Sequence, residues 1–394
     1  MATLHFGAAR QCVLERVSAL RSLPAIEETA LDDAAGRVLA ESVRADRDYP
    51  PTPRSIRDGF ALRAADAPGR LRVIGEVRAG ESFPGEVRTG EAVEIMTGAP
   101  LPKGADAVVM IEHARRDGDH VEVPACEPGQ FINPQASEAR KGDELLAVGR
   151  RIGFSEIATL ASAGKAVARV YRRPRVAVLA TGDEIIEVTG TPLPHQVRNS
   201  NAHSLAAQVR RAGAIPQVLP IARDKLEPTR ELIERGLSAD LLLLSGGVSA
   251  GKYDVVEQAL AALGAEFYFD RVLIQPGQPL VFGRARGTFF FGLPGNPVST
   301  MVTFEVFARA ALELLSGQSA APLPLVYALL AEDFSHKPGL TRFIPALLNE
   351  GRVKPAGWRG SSDIPAAARA NAFLVAGAER ECWRAGELIP VLLK

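Results

Sequence analysis

Four consecutive leucines at Leu241, Leu242, Leu243 and Leu244 carry no polar residue among them. That pattern fits a strand buried on both faces, as in a parallel sheet. The run breaks at Ser245-Gly246-Gly247, and helical periodicity resumes at Tyr253, with Val255, Val256, Ala259, Leu260 and Leu263 on one face. The pattern predicts strand, glycine-rich loop, helix. Similar alternation surrounds it: RVAVLA (175–180) reads as a strand, TGDE as its turn, and 200–213 as a helix stopped by Gly213. AIPQVLPIA, EPTRELIERGL and ADLLLLSGG continue the alternation. The strand pair VLIQPGQPLVFG and TFFFGL comes next, and then a long helix over 296–315 with Asn296 as cap and Pro297 in its first turn. Such alternation predicts an open α/β sheet with ligands at the carboxyl ends of its strands.

The flanking texture differs. Residues 6–42 read as helical, with Ala9, Val13, Val17 and Leu20 on one face and a second short apolar pattern from Leu31 to Leu39. Prolines at 50, 51 and 53 break this pattern. From Ser55 to Ala136 short β-like runs with turn signals predict an inserted antiparallel β domain. Helical pattern returns at 155–164, Arg172-Arg173-Pro174-Arg175 reads as a linker, and short β runs resume after Ala320-Ala321-Pro322. The expected fold class is multidomain α/β plus β. Its parts are a discontinuous N-terminal helical, dimerising domain (1–42 and 142–172), an inserted β domain (43–141), an α/β domain (173–321) and a C-terminal β-barrel-like domain (322–394).

At 394 residues the chain is too long for one core. Lys+Arg and Asp+Glu are both 46, so no overall field points to nucleic acid or an anionic membrane. No apolar run approaches a membrane span and no signal-peptide pattern opens the chain, which predicts a cytoplasmic protein. Three widely separated cysteines, Cys12, Cys126 and Cys382, agree with a reducing compartment and argue against a structural metal site. None of the six histidines has ligand spacing.

Carboxylates recur where strands should end: Asp183 and Glu184, Asp224, and Asp254. A loop such as Ser245-Gly246-Gly247 bares backbone N–H groups at a helix start and suits an anion, although an ordinary strand-to-helix turn looks the same. An acid at Asp254 would repel a phosphate there unless a metal lay between them. Hard oxygen ligands in this number suit Mg²⁺. In the first β domain Asp58 sits in an Asp-Gly turn and Thr97 in a Thr-Gly turn, and either alone reads as a turn with a hydrogen-bonding side chain.

Together, the strings Ser55–Ala61, Ile95–Ala99, Thr181–Glu184, Ser200–Leu205, Ser245–Asp254, Phe291–Ser299 and Gly360-Ser361 resemble those of the molybdopterin molybdenumtransferase family, in the same order along the chain. The resemblance implies insertion of molybdate into adenylylated molybdopterin with release of AMP, on a fold shared with the E domain of gephyrin. It also implies a homodimer with a site between the α/β domain of one subunit and the small domains of its partner. Small-molecule substrates and transient contact with other molybdenum cofactor biosynthesis proteins follow from the same likeness. Catalytic roles are implied for Asp58, Thr97, Asp143, Glu184 and Asp254, and a Mg²⁺-holding role for Glu184, Asp224 and Asp254. Substrate contacts are implied for Ser245, Gly246, Gly247, Ser249, Gly251, Gln275, Gln278, Pro294, Gly295, Asn296 and Ser361.

One string departs. Where the family shows K-P-G-K-P, this chain has Gln275-Pro276-Gly277-Gln278-Pro279. With eight Lys and 38 Arg, drift toward arginine would have kept the charge. The change leaves open a non-catalytic scaffold or carrier that binds molybdopterin, or a variant of altered oxyanion preference. The retained acids favour the enzyme.

Overall fold

A computed structural model describes residues 3–247 and 255–394. Its α-helices among the described residues are α1 (Phe6–Leu20), α2 (Phe154–Ser162), α3 (Ser200–Arg211), α4 (Leu226–Gly236), α5 (Val255–Ala262), α6 (Pro297–Thr303), α7 (Arg309–Leu315) and α8 (Ile364–Arg369). No helix among the described residues is long and apolar enough to cross a membrane.

The leucine run forms strand Leu241–Ser245 at the centre of the largest sheet, flanked by Arg175–Ala180 and Thr288–Leu293, both parallel to it. Ile215–Val218 extends the parallel part, and Pro279–Ala285 and Glu266–Gln275 add antiparallel strands at the other side. Alternate residues explain why no polar position interrupts the run. Leu241 and Leu243 pack with Val13 of α1, Leu205 of α3 and Val302 of α6, while Leu242 and Leu244 pack with Ile233 of α4 and Leu260 of α5. Each leucine buried this way contributes about 1.5–3 kcal/mol.

Register fixes the edge that matters. Ala180 pairs with Ser245 and Ser245 with Leu293, so the turns that follow these three strands emerge side by side. The C-terminal strands Thr341–Asn349, Arg352–Pro355, Leu325–Leu330, Leu388–Leu393 and Ala372–Ala376 close into a ring, because the first pairs with both the second and the last. This ring joins the main sheet where Ile274 and Gln275 pair with Thr341 and Arg342.

The N-terminal half departs from the expected pattern. Helix ends at Leu20, not near residue 42, with Pro24 four residues on; Ile26–Ala30 is a strand paired with Val167–Tyr171, and Leu31–Asp33 is a single 3-10 turn. Strand Thr3–His5 pairs with Arg271–Leu273, so the first helix packs on the α/β unit. The β domain is a six-stranded sheet, antiparallel except where Gly69–Val77 runs parallel to Glu91–Ile95. Asn296 opens α6 without a side-chain cap bond, and the long helix is interrupted by a π turn at Phe304–Ala308.

Glu156, at the start of α2, is buried and accepts from Arg150 Nη2 (2.8 Å), the Gly153 N–H (2.9 Å) and Ser155 Oγ (3.1 Å). Arg150 first, then the Gly153 amide, holds its carboxyl down at about 2. A depressed carboxyl adds stability that is in place above the ordinary Glu range, near pH 4.3, and is lost as pH falls through the folded value. We expect Glu156→Gln to cost about 1–3 kcal/mol at neutral pH. It should also flatten the acid limb of the stability profile between about pH 5 and pH 2. Denaturant titrations across that range check this, and an unchanged acid limb would contradict it.

Candidate functional site

Two of the three adjacent turns at the carboxyl edge are tied together by one side chain. Asn201 Nδ2 donates to Ser245 Oγ (2.8 Å) and to the Gly295 carbonyl (2.7 Å). It is carried to that point by α3, whose cap Asn199 accepts from the Ala202 N–H at 3.2 Å. The glycines between the turns are required by packing. Gly246 has φ +92°, and a Cβ there would lie 2.7 Å from the Thr181 carbonyl oxygen. At Gly247, with φ +65°, it would lie 2.7 Å from Thr181 Oγ1.

These turns floor a cleft of about 1240 Å³, closed on another side by the C-terminal domain through Leu340, Trp358 and the Gly360–Ser362 segment. That segment is anchored twice. The Val298 N–H at the start of α6 donates to the Ser361 carbonyl (2.9 Å), and Asp363 accepts from the Arg359 and Ala366 N–H groups, each at 3.0 Å.

Of the residues singled out from the sequence, Glu184, Ser245, Gly246, Gln275, Gln278, Pro294, Gly295, Asn296 and Ser361 all line this cleft. Gly247 stands behind it against Thr181. Ser249, Gly251 and Asp254 lie outside the described residues. Asp224 is not in the wall. Its Oδ2 accepts from the Asp183 N–H (3.3 Å) while Asp183 Oδ1 accepts from the Asp224 N–H (3.2 Å), so the two acids brace neighbouring turns.

Asp58, Thr97 and Asp143 do not line the cleft of their own chain. Asp58 Oδ1 accepts from the Thr97 N–H (2.6 Å) and Thr97 Oγ1 (2.8 Å) on the exposed surface of the β domain. Those two bonds, the amide first, hold the Asp58 carboxyl below the usual range. Asp143 Oδ2 accepts from the Arg140 N–H (2.9 Å) in an exposed turn.

Residues 4–164 match the family described as MoeA N-terminal region (domain I and II), 177–314 the probable molybdopterin binding domain, and 327–394 the MoeA C-terminal region (domain IV). The chain is 34% identical to the molybdopterin molybdenumtransferase of Staphylococcus epidermidis, covering 92% of this chain and 90% of that one. The corresponding Bacillus subtilis protein is also 34% identical, with 93% and 89% covered. This chain belongs to the molybdopterin molybdenumtransferase family. In structure it resembles the crystal structure of the molybdopterin biosynthesis moeA protein from Pyrococcus horikoshii, with a TM-score of 0.82 at 28% identity and complete coverage of both chains.

Set against the family's regions, the cleft floor falls in the molybdopterin-binding part and its far wall in domain IV. Asp58, Thr97 and Asp143 fall in domains I and II. Among the described residues, Thr181 Oγ1 and Asn201 Oδ1 at this edge are buried with no hydrogen-bond partner. An unmet buried donor or acceptor costs about 1–3 kcal/mol. Gln275 and Gln278, where the chain departs from the family string, both line the cleft. Among the described lining residues Arg198 is the one Lys or Arg. Arg271 and Arg284, cations near the glutamines in sequence, line no part of the cleft, and Arg284 is stacked on Phe289 at 5.6 Å.

Sequence reasoning missed Thr181, Arg198, Asn201 and Trp358 as cleft residues. Thr181 and Asn201 stand inside strings it had already read as a turn and a helix start. Trp358 sits in an irregular segment, and Arg198 in a two-residue strand, Val197–Arg198, too short to give a periodic signal.

Glu184 fits a divalent cation. Among the described residues its carboxylate has no hydrogen-bond partner, and it lies over Gly182, where an added Cβ would come within 2.5 Å of Oε2. Asp224 accepts from the Asp183 N–H through Oδ2, and among the described residues its Oδ1 has no hydrogen-bond partner. No group of three or more His, Cys, Asp or Glu that could hold a metal occurs among the described residues. Mg²⁺ takes one or two carboxylates together with substrate phosphate and water, and Glu184 is the one Asp or Glu among the described cleft residues.

Proposed function

We propose that the cleft takes adenylylated molybdopterin and that the chain inserts molybdate into it with release of AMP, within molybdenum cofactor biosynthesis. The observation that carries this reading is the convergence of Glu184, whose carboxylate has no hydrogen-bond partner among the described residues, the Gly246 and Gly295 turns, and Ser361 around one large cleft. In this reading Asn201 fixes the Ser245 and Gly295 turns that face the substrate, and the Gly246 turn lets phosphate oxygens approach the backbone. Glu184, with Asp254, would hold Mg²⁺, which when bound neutralises charge on the phosphate oxygens, while Asp224, outside the cleft wall, braces the Asp183 turn that carries Glu184. The loss of cations at Gln275 and Gln278 favours a second reading, a carrier that binds the pterin nucleotide without inserting metal.

Asp58 and Thr97 enter this scheme from a second subunit, in a homodimer. Asp58→Asn and Glu184→Gln are each expected to cut AMP release by about 10²-fold or more. Mixed in equal amounts and allowed to exchange subunits, they should recover roughly a quarter of wild-type activity, because half the dimers then carry one intact composite site. Light scattering gives the mass in the same samples. A monomer mass, or a mixture no more active than its parts, would overturn the shared site, and full activity of Glu184→Gln alone would overturn the cleft.

A further inference from the structure

Trp358 carries the one aromatic ring among the described residues that line the cleft. The chain has two tryptophans, and their surroundings differ. Trp383 is buried in the core of the C-terminal ring of strands, where it stacks on His336 with centroids 5.2 Å apart. Trp358 is half-buried and is not part of that core. Among the described residues its indole has no aromatic neighbour and its Nε1–H no hydrogen-bond partner. Tryptophan has a large apolar face, and one left half open on a cleft wall forgoes burial that a flat ligand would supply.

Backbone bonds hold the segment that carries it. Trp358 lies between strand Arg352–Pro355 and α8. On one side of it the Ala356 N–H donates to the Pro345 carbonyl (2.8 Å), and on the other the Arg359 N–H donates to Asp363 Oδ2 (3.0 Å). Asp363 is itself fixed as the cap of α8, accepting from the Ala366 N–H through Oδ1. The residues that follow in the wall, Gly360, Ser361 and Ser362, are small. The C-terminal wall therefore offers the cleft one flat aromatic surface on a braced segment.

We propose that Trp358 stacks on a planar fused-ring nitrogen heterocycle of the bound substrate and sets where that ring lies in the cleft. The pterin and the adenine of adenylylated molybdopterin both present such a ring, and the proposal rests on the reading of the cleft as the site for that nucleotide. Stacking needs only a flat face on each partner, and losing an aromatic platform under a base weakens binding about five- to 150-fold.

The test is the fluorescence of the full chain carrying Trp383→Phe, which leaves Trp358 as its one tryptophan. Saturable quenching by adenylylated molybdopterin is expected. Molybdopterin and AMP, added separately, tell which ring takes the stack. Ribose 5-phosphate, which has the phosphate without a ring, should leave the emission unchanged. Calorimetry with Trp383 intact keeps the test sound even if Trp383→Phe folds poorly. There Trp358→Ala should bind the nucleotide at least about tenfold more weakly than the wild type, and Trp358→Tyr should recover most of the loss. Trp358→Leu, which keeps apolar bulk without a flat ring, should not. Nucleotide binding without quenching, equal affinity of Trp358→Ala and the wild type, or full recovery by Trp358→Leu would each overturn the stack and leave the cleft as the nucleotide site. No binding of the nucleotide to the wild type would overturn the reading of the cleft itself, and the stack with it.

Discussion

Replacing Gln275 and Gln278 together by lysine is expected to lower the molybdate concentration that half-saturates AMP release by about two to four decades. Both glutamines line the cleft, where Arg198 is the one Lys or Arg among the described residues. A charge-assisted hydrogen bond contributes roughly 1.5–3 kcal/mol net, so two restore on the order of 3–6 kcal/mol. The glutamine amide still donates, and Arg198 supplies one charge, so the low end of that range is the better guide. Binding of the pterin nucleotide should not change, because Thr181, Asn201, Ser245 and Ser361 are untouched. If the double variant shows no lower half-saturating molybdate, the glutamines are not a defect in an anion site.

Gly246→Ala is expected to damage fold and site together. The position has φ +92°, which costs an L side chain about 1–3 kcal/mol, and the new Cβ would meet the Thr181 carbonyl at 2.7 Å. A backbone atom cannot swing aside as a flexible side chain would, so the Thr181 turn must shift, and Glu184 is three residues along it. We expect stability to fall by about 1–3 kcal/mol or more and affinity for adenylylated molybdopterin to fall at least about tenfold. Gly295→Ala is the control. Its Cβ would find nothing closer than the Gly246 Cα at 3.8 Å, and its φ is not in the left-handed region, so stability should stay within about 0.5 kcal/mol. Denaturant unfolding of both variants and ligand titration of Gly246→Ala check this, and equal stability losses in the two would contradict it.

The central strand was legible because a run of leucines buried on both faces needs no partner information to be recognised, and helices on either side do cover it. The cleft floor was legible for a related reason: short polar strings that end buried strands must emerge at one sheet edge. The segment after Leu20 was not. Strand Ile26–Ala30 finds its partner at Val167–Tyr171, and a pairing across so long a stretch leaves no local periodicity. The role of Asn201 was hidden for another reason. A helix-start string reads as capping, yet Asn199 does the capping and Asn201 reaches across to two other turns. Asp224 shows the converse, since an acid at a strand end braces a neighbouring turn and does not line the cleft.

The most direct test is AMP release from adenylylated molybdopterin by the purified protein with Mg²⁺, with molybdate present or withheld. We predict release of AMP in proportion to the pterin supplied, dependent on molybdate, needing a high molybdate concentration, and lost in Glu184→Gln. No release at saturating molybdate, in the wild type and in the Gln275→Lys/Gln278→Lys variant alike, would contradict a transferase and leave a carrier of the pterin nucleotide.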